Sequence, residues 1–280
     1  MERIKQAIEK INNQQSGSVK QHVQTHSEAN ISTIQSRDSA KKGDLESTNN
    51  KAIRVIKLLA EHLEKNRVVA FNKDDPRSMI FDLLRTTVLQ KMEEHGWKTL
   101  AITSPTPDSG KSMVAINLAM SIAQLTDKNA ILVDFDLRRP KIGSYLGISM
   151  GASLNELLSG AANLEDTLVN PDIPRLMVLP TKSPVKNSSE MLTSKIILGM
   201  IKSLRDWNKS GIVIFDLPPI LVADDAIALL PQIDCVLMVV ADGMSTKREI
   251  EDSLRHLKSV NLLGTVFNKA EEKLLDYYGY

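Results

Sequence analysis

Thiol chemistry is nearly absent from this chain, which contains one cysteine, Cys235. That excludes an internal disulfide and is the usage expected of a reducing compartment. An excess of charge is also lacking. Thirty-five basic against 34 acidic residues leave a net charge of +1 over 280 residues, so no global field favours nucleic acid or an anionic membrane. No apolar run approaches the ~20 residues of a membrane span, and the opening MERIKQAIEK is charged throughout, with no signal-peptide core. The five histidines, His22, His26, His62, His95 and His256, share no zinc-like spacing with cysteine or carboxylate. His22 and His26 stand four apart, but in a polar stretch. These absences predict a cytoplasmic protein that meets a membrane only through a partner or a surface-lying helix. What is present, 42% hydrophobic residues, suffices for one large core with an appendage.

Residues 1–50 supply the appendage. Ile4, Ala7, Ile8 and Ile11 share one helical face, and this short amphipathic helix either docks on a partner or membrane surface or packs on its own domain. The Gln-, Asn-, Ser- and Thr-rich stretch that follows lacks aromatics and reads as a disordered polar linker. A helical lead-in is predicted over 51–75, with Ile53, Ile56, Leu59 and Leu63 on one face of a helix over 51–64 and an extended piece from Arg67 to Phe71. The globular domain is placed at 76–270. It opens on a helix from about Met79 to Glu94 with Ile80, Leu83, Leu84, Val88 and Met92 inward. Strands are predicted at Leu100–Thr103, Ala130–Val133, Arg175–Leu179, Ile212–Phe215, Cys235–Val240 and Leu262–Phe267. The helices between them are predicted at Leu154–Leu158, Ser189–Asp206, 224–230 and Thr246–Val260. Such alternation with near-continuous apolar strands describes an α/β fold, a doubly wound and mostly parallel sheet covered on both faces. Its ligands sit outside the carboxyl ends of the strands.

Three motifs fall at those ends. In TSPTPDSGKSMVAINLA (103–119) a buried strand leads through a turn to Gly110-Lys111-Ser112 and then to a helical apolar period, the layout of a phosphate-binding loop. Loop N–H groups and the helix N-terminus attract an anion. Lys111 can reach β and γ phosphates, and Ser112 can ligate Mg²⁺. The strict pattern wants glycine at position 105, where this chain has Pro105. In ILVDFDLRRP (131–140), Asp134 and Asp136 are two apart in an extended chain and share a side. Such a pair can organise metal-bound water and accept a proton. In GIVIFDLPPIL (211–221) an apolar run delivers Asp216, as in a Walker B strand. Each motif also has a bland reading, as a helix start, a polar strand end or a turn. Together and in this order they predict a nucleotide site. Finally, three of the chain's four tyrosines, Tyr277, Tyr278 and Tyr280, lie in the last four residues, a tail over 271–280. Mobile termini make poor core but accessible phosphoacceptors.

TSPTPDSGKS with NLA after it, LVDFDLRRP, IVIFDLPPIL with Asp224-Asp225-Ala226 beyond, and the tyrosine tail together resemble the bacterial tyrosine kinases (BY-kinases). These are P-loop autokinases of polysaccharide export, on a deviant Walker A fold shared with the ParA/MinD group. The stretch LMVLPTKSPVKNSSEMLTS follows the same pattern, and the opening MERIKQAIEKI is similar to the exosortase-associated type. The resemblance spans about 76–280. It implies ATP- and Mg²⁺-dependent phosphorylation of Tyr277, Tyr278 and Tyr280 in trans. Lys111, Asp134, Asp136 and Asp216 would be the catalytic group, with Asp134 the candidate base. Ser109, Gly110, Lys111, Ser112, Met113 and, for adenine, Asn268 would bind nucleotide. Ser112, Asp134, Asp136 and Asp216 would hold the metal. Partners implied are ATP, a second copy of the chain, a separate membrane co-polymerase acting as activator and a protein-tyrosine phosphatase, but no nucleic acid. The protein would lie at the inner face of the membrane through that partner.

The chain departs from the family pattern at Asp108, where glycine is usual. It departs again in the Glu-x-x-Arg-x-x-Arg of the family's ring-forming helix, where Met79 and Asp82 replace the first two residues and only the last arginine, Arg85, survives. A closed ring is therefore not expected. A carboxylate at 108 should weaken triphosphate binding unless Mg²⁺ or a basic group intervenes, so Asp108→Gly is expected to tighten it. Two rivals remain. A ParA/MinD-like positioning ATPase would carry an extra lysine where Thr106 stands, and a nucleotide-sensing scaffold would carry neither activity.

Overall fold

The computed structural model describes residues 53–149, 151–185 and 195–270. The helix predicted over 1–11, the linker, the first turns of the helix predicted from Ser189, and the tyrosine tail lie outside these residues. Eight strands form one sheet: β1 (Arg54–Val55), β2 (Thr99–Thr103), β3 (Ala130–Asp134), β4 (Val169–Asn170), β5 (Leu176–Leu179), β6 (Ile212–Asp216), β7 (Cys235–Ala241) and β8 (Leu262–Asn268), in the order β1-β4-β5-β3-β6-β2-β7-β8. Every pair is parallel except β4–β5. All residues of β2, β3, β6 and β7 are buried. This is why the strands are continuous apolar runs: a parallel sheet covered on both faces has no solvent side to alternate with.

The covering helices among the described residues are α1 (Ala60–Lys65), α2 (Ser78–His95), α3 (Lys111–Leu125), α4 (Ile142–Leu146), α5 (Leu154–Leu158), α6 (Leu164–Thr167), α7 (Lys195–Trp207), α8 (Asp224–Leu229) and α9 (Lys247–His256). Caps are visible in the sequence at two of them. Ser153 with Glu156 and Thr246 with Glu249 form capping boxes that satisfy the first N–H groups of α5 and α9.

Three expectations fail. Residues 51–64 are not one helix: Arg54 and Val55 pair with β4, the Ile56 N–H donates to Asn170 O at 2.8 Å, and α1 begins only at Ala60. Ile53, Val55 and Ile56 satisfy a helical period and a β-branched run equally, and the open sheet edge decides between them. β1 and α1 therefore belong to the same compact unit as the rest of the sheet. In α2, Val88 and Met92 are buried as expected, but Ile80 and Leu83 are 45% and 61% exposed. The inward position at that end is polar. Ser121 Oγ donates to Asp82 Oδ1 at 2.6 Å, and Arg85 Nη1 donates to the same oxygen at 3.0 Å. The stretch Arg67–Phe71 is a turn-rich strap rather than a strand.

The strand order positions the site. β6 lies between β3 and β2, with Asp134 opposite Asp216 and Ile102 opposite Asp216. Motifs that start at 103, 131 and 211 thus emerge side by side at one sheet edge.

Candidate nucleotide site

The phosphate loop leaves β2 at Thr103 and enters α3 through Gly110, whose φ of 88° is left-handed. That φ favours glycine, and a Cβ there would also displace the Asn268 side-chain amide. Within the loop only Asp108 (φ 61°) and Gly110 have positive φ. Position 105 does not, so Pro105 meets the backbone's needs where the strict pattern has glycine. The Leu221 N–H donates to Pro105 O at 3.3 Å and the Ile220 N–H to Ser104 O at 2.9 Å, fastening the loop to the segment after β6. Ser109 is buried, its Oγ donating to Thr106 O at 3.0 Å and its carbonyl accepting from Asn268 Nδ2 at 2.8 Å.

Lys111 lies at the centre. Its Nζ is 2.8 Å from Asp136 Oδ2 and 3.3 Å from Asp216 Oδ1, and it reaches Ser112 Oγ at 3.3 Å. Burial alone would lower the lysine's pKa, but Asp216 and Asp136 reverse this and hold it above the usual range. Asp134 and Asp216 are fully buried. Burial drives the Asp134 carboxyl well above the ordinary carboxylate range, and the Asp216 charge beside it adds to the shift. The Asp216 carboxyl is also raised by burial, against the pull of Lys111. Asp134 Oδ2 accepts from the Ile142 N–H at 2.9 Å. Asp134 Oδ1 and Asp216 Oδ2 have no protein partner. Buried, unpartnered carboxylate oxygens are costly, and here two of them belong to aspartates paired across adjacent strands.

In front of this cluster is a cavity of about 480 Å³. Gly110, Lys111, Ser112, Met113, Asp136 and Asn268 are on its wall, whereas Ser109, Asp134 and Asp216 lie behind it. The cavity also draws on residues that the sequence reading did not assign to the site: Arg67, Arg138, Arg139, Lys141 and Lys269. With Lys111 they make a cationic lining suited to a polyanion, although the chain as a whole carries +1. Arg138 and Arg139 follow Asp136 after a single leucine in DLRRP, the one signal that could have found them. Arg138 donates to Asp225 Oδ2 at 2.8 Å and to Asp224 Oδ1 at 2.7 Å, linking the β3 exit to α8. The role expected of Asn268 also gains a component, since its amide braces the phosphate loop.

No family model matches the chain. It is 32% identical over 209 residues to the EpsB protein of Ralstonia nicotianae, a match covering 74% of this chain and 27% of that protein. To the tyrosine-protein kinase CpsD of Streptococcus pneumoniae serotype 4 it is 32% identical over 183 residues, covering 64% of this chain and 79% of that kinase. The chain belongs to the bacterial tyrosine kinases. It spans about a quarter of the length of EpsB but most of the length of CpsD. The kinase domain of the Escherichia coli tyrosine kinase ETK superposes with a TM-score of 0.68 at 27% identity, covering 81% of this chain and 94% of that domain. The septum site-determining protein MinD of Pyrococcus horikoshii, complexed with Mg-ADP, reaches a TM-score of 0.51 at 20% identity, a likeness of fold alone. Within the kinase fold, Asp82 and Arg85 of α2 pair with each other at 3.0 Å.

No helix among the described residues is long and apolar enough to cross a membrane.

Proposed function

We propose that this chain is an ATP-dependent protein-tyrosine kinase that phosphorylates Tyr277, Tyr278 and Tyr280 of a second copy, and so regulates polymerisation or export of a polysaccharide. The observation that carries the reading is Lys111 held between Asp136 and Asp216 at the wall of a cationic cavity, in a chain of this family. The triphosphate enters between the phosphate loop and the LRRP segment. Lys111 exchanges its two carboxylates for phosphate oxygens, and the loop N–H groups and the start of α3 bind the rest.

Among the described residues no group of three or more His, Cys, Asp or Glu side chains is disposed to hold a metal unaided. This fits Mg²⁺, which binds through one or two protein ligands together with substrate phosphates. Ser112 Oγ would ligate it. The carboxylates of Asp134, Asp136 and Asp216, two of them with unpartnered oxygens, would hold its waters. When bound, the ion neutralises the charge that grows on the β and γ phosphates.

The tyrosine oxygen attacks the γ-phosphorus, the bond from that phosphorus to the β–γ bridging oxygen breaks, and ADP leaves. The phenol proton passes to the Asp134–Asp136 pair, of which Asp136 is the member on the cavity wall. Burial raises the Asp134 pKa above the ordinary carboxylate range, so its ionised form is a stronger base than an exposed aspartate. Positioning and charge stabilisation supply the rest of the rate. A separate membrane protein would act as activator and bring the kinase to the membrane, and a phosphatase would reset the tyrosines.

The test is incubation with γ-labelled ATP and Mg²⁺, with and without residues 277–280. Label on tyrosine that vanishes with the truncation is expected. Phosphate release without protein labelling would replace the kinase by an ATPase, and absence of both would leave a scaffold.

A further inference from the structure

Asp108 is the residue that the nucleotide site has no evident use for. Its side chain is 64% exposed and its backbone left-handed, a conformation aspartate tolerates better than most residues but does not prefer. It puts a negative charge on the loop that should receive phosphates. One basic group meets it: Lys141 Nζ donates to Asp108 Oδ1 at 3.1 Å, across 33 positions of sequence. Lys141 holds the Asp108 carboxyl below its usual range by that hydrogen bond and by its charge, with Lys269 and Arg139 adding to the field.

The mounting of Lys141 matters as much as its charge. It immediately precedes α4, whose first N–H, that of Ile142, donates to Asp134 Oδ2, and its own carbonyl accepts from Ser144 Oγ at 2.8 Å. The lysine backbone is therefore fixed to the buried carboxylate behind the cavity, and its side chain reaches from there to Asp108. An ion pair this exposed adds little to fold stability. Its effect must fall on whatever enters the cavity both residues line.

We propose that Lys141 is a positioning residue for nucleotide binding: held on Asp108, it cancels the loop's carboxylate charge and keeps the phosphate path attractive to an anion. The inference rests on the cavity being a nucleotide site. It also revises the expectation for position 108, because the basic group needed beside Asp108 is present. Loss of Lys141, more than presence of Asp108, is the damaging change.

Calorimetric binding of Mg·ADP to the full chain tests this with Lys141→Ala, Lys141→Arg, Asp108→Asn and the double variant Asp108→Asn/Lys141→Ala. Asparagine removes the charge while still tolerating positive φ. Lys141→Ala is expected to weaken Kd about tenfold, the order of effect of one unscreened charge near a polyanion. Lys141→Arg should remain within threefold of wild type, and the double variant should return to within threefold. Melting temperatures without nucleotide should agree, since the pair is at the surface. A Lys141→Ala Kd within twofold of wild type would reduce the pair to a bystander. A double variant as weak as Lys141→Ala would show that Lys141 acts independently of Asp108. Either result overturns the proposal. If wild-type protein fails to bind Mg·ADP at all, the nucleotide reading falls instead.

Discussion

Asp134 shows what burying a carboxylate costs. It is fully buried, and one of its oxygens has no protein partner. Burial and the Asp216 charge raise its pKa well above the ordinary carboxylate range. A carboxyl whose folded pKa lies above its unfolded value costs stability once ionised. The cost is absent below the ordinary carboxylate range, grows as pH rises through the raised pKa, and is complete above it. Asp134→Asn should therefore stabilise the domain by about 1 kcal/mol at pH 8, a rise in Tm of roughly 2–4 °C. The gain should disappear by about pH 3, below the ordinary aspartate pKa, where the carboxyl is protonated in both states. The same variant should lose about 10²-fold or more in kinase rate, the lower end for a group that handles the proton. Calorimetry at several pH values beside a labelling assay measures both. A variant less stable than wild type at pH 8 would contradict the burial cost.

At the scale of elements, α3 does more than carry the phosphate loop. Asn117, in its second turn and fully buried, accepts from the Val69 N–H at 2.7 Å and the Ala70 N–H at 2.9 Å, and donates to Arg67 O at 3.1 Å. One side chain thus satisfies the backbone of the strap that brings Asn66 and Arg67 to the cavity. Val68 and Ala70 are fully buried, which suggests a strand from sequence. A strand needs a backbone neighbour, and here a side-chain amide takes that place. Asn117→Ala leaves two buried N–H groups without an acceptor and should cost about 2–4 kcal/mol. Denaturant melts should show the loss, and hydrogen exchange should show it at the Val69 and Ala70 amides before the sheet. Uniform exchange across the domain would mean that the strap is not held by Asn117. The α2 error has a related cause. Asp82 and Ser121 meet at 2.6 Å and take the inward place of Ile80 and Leu83, a pairing that apolar spacing does not encode.

At the scale of the whole molecule, the proposed chemistry requires two copies, because transfer is to a second chain. A Lys111→Met chain, inactive but keeping Tyr277, Tyr278 and Tyr280, should be labelled when mixed with active chain truncated before residue 277. Labelling confined to chains with their own working site would place the reaction in cis. Nucleotide should also act on the fold as a unit. Mg·ADP at a hundred times its Kd should raise unfolding free energy by about 2.7 kcal/mol, a linkage that thermal shift detects.

Most of the sheet was legible because buried parallel strands are written as plain apolar runs. The runs at Thr99–Thr103, Ala130–Asp134, Ile212–Asp216 and Cys235–Ala241 needed only end corrections. The carboxylates were legible for the same reason, since each interrupts such a run at its carboxyl end. β1 and β4 were not. Each is two residues long, too short to carry a period.

The sequence by itself determined the fold class, the strand-ending motifs and the family resemblance, because these depend on local pattern and spacing. Only the tertiary structure decided which charges meet. It set β6 between β3 and β2, placed Lys111 between Asp136 and Asp216, and put Lys141 on Asp108. Electrostatic pairing depends on distance in space, and no periodicity in the chain encodes a partner 33 or 105 residues away.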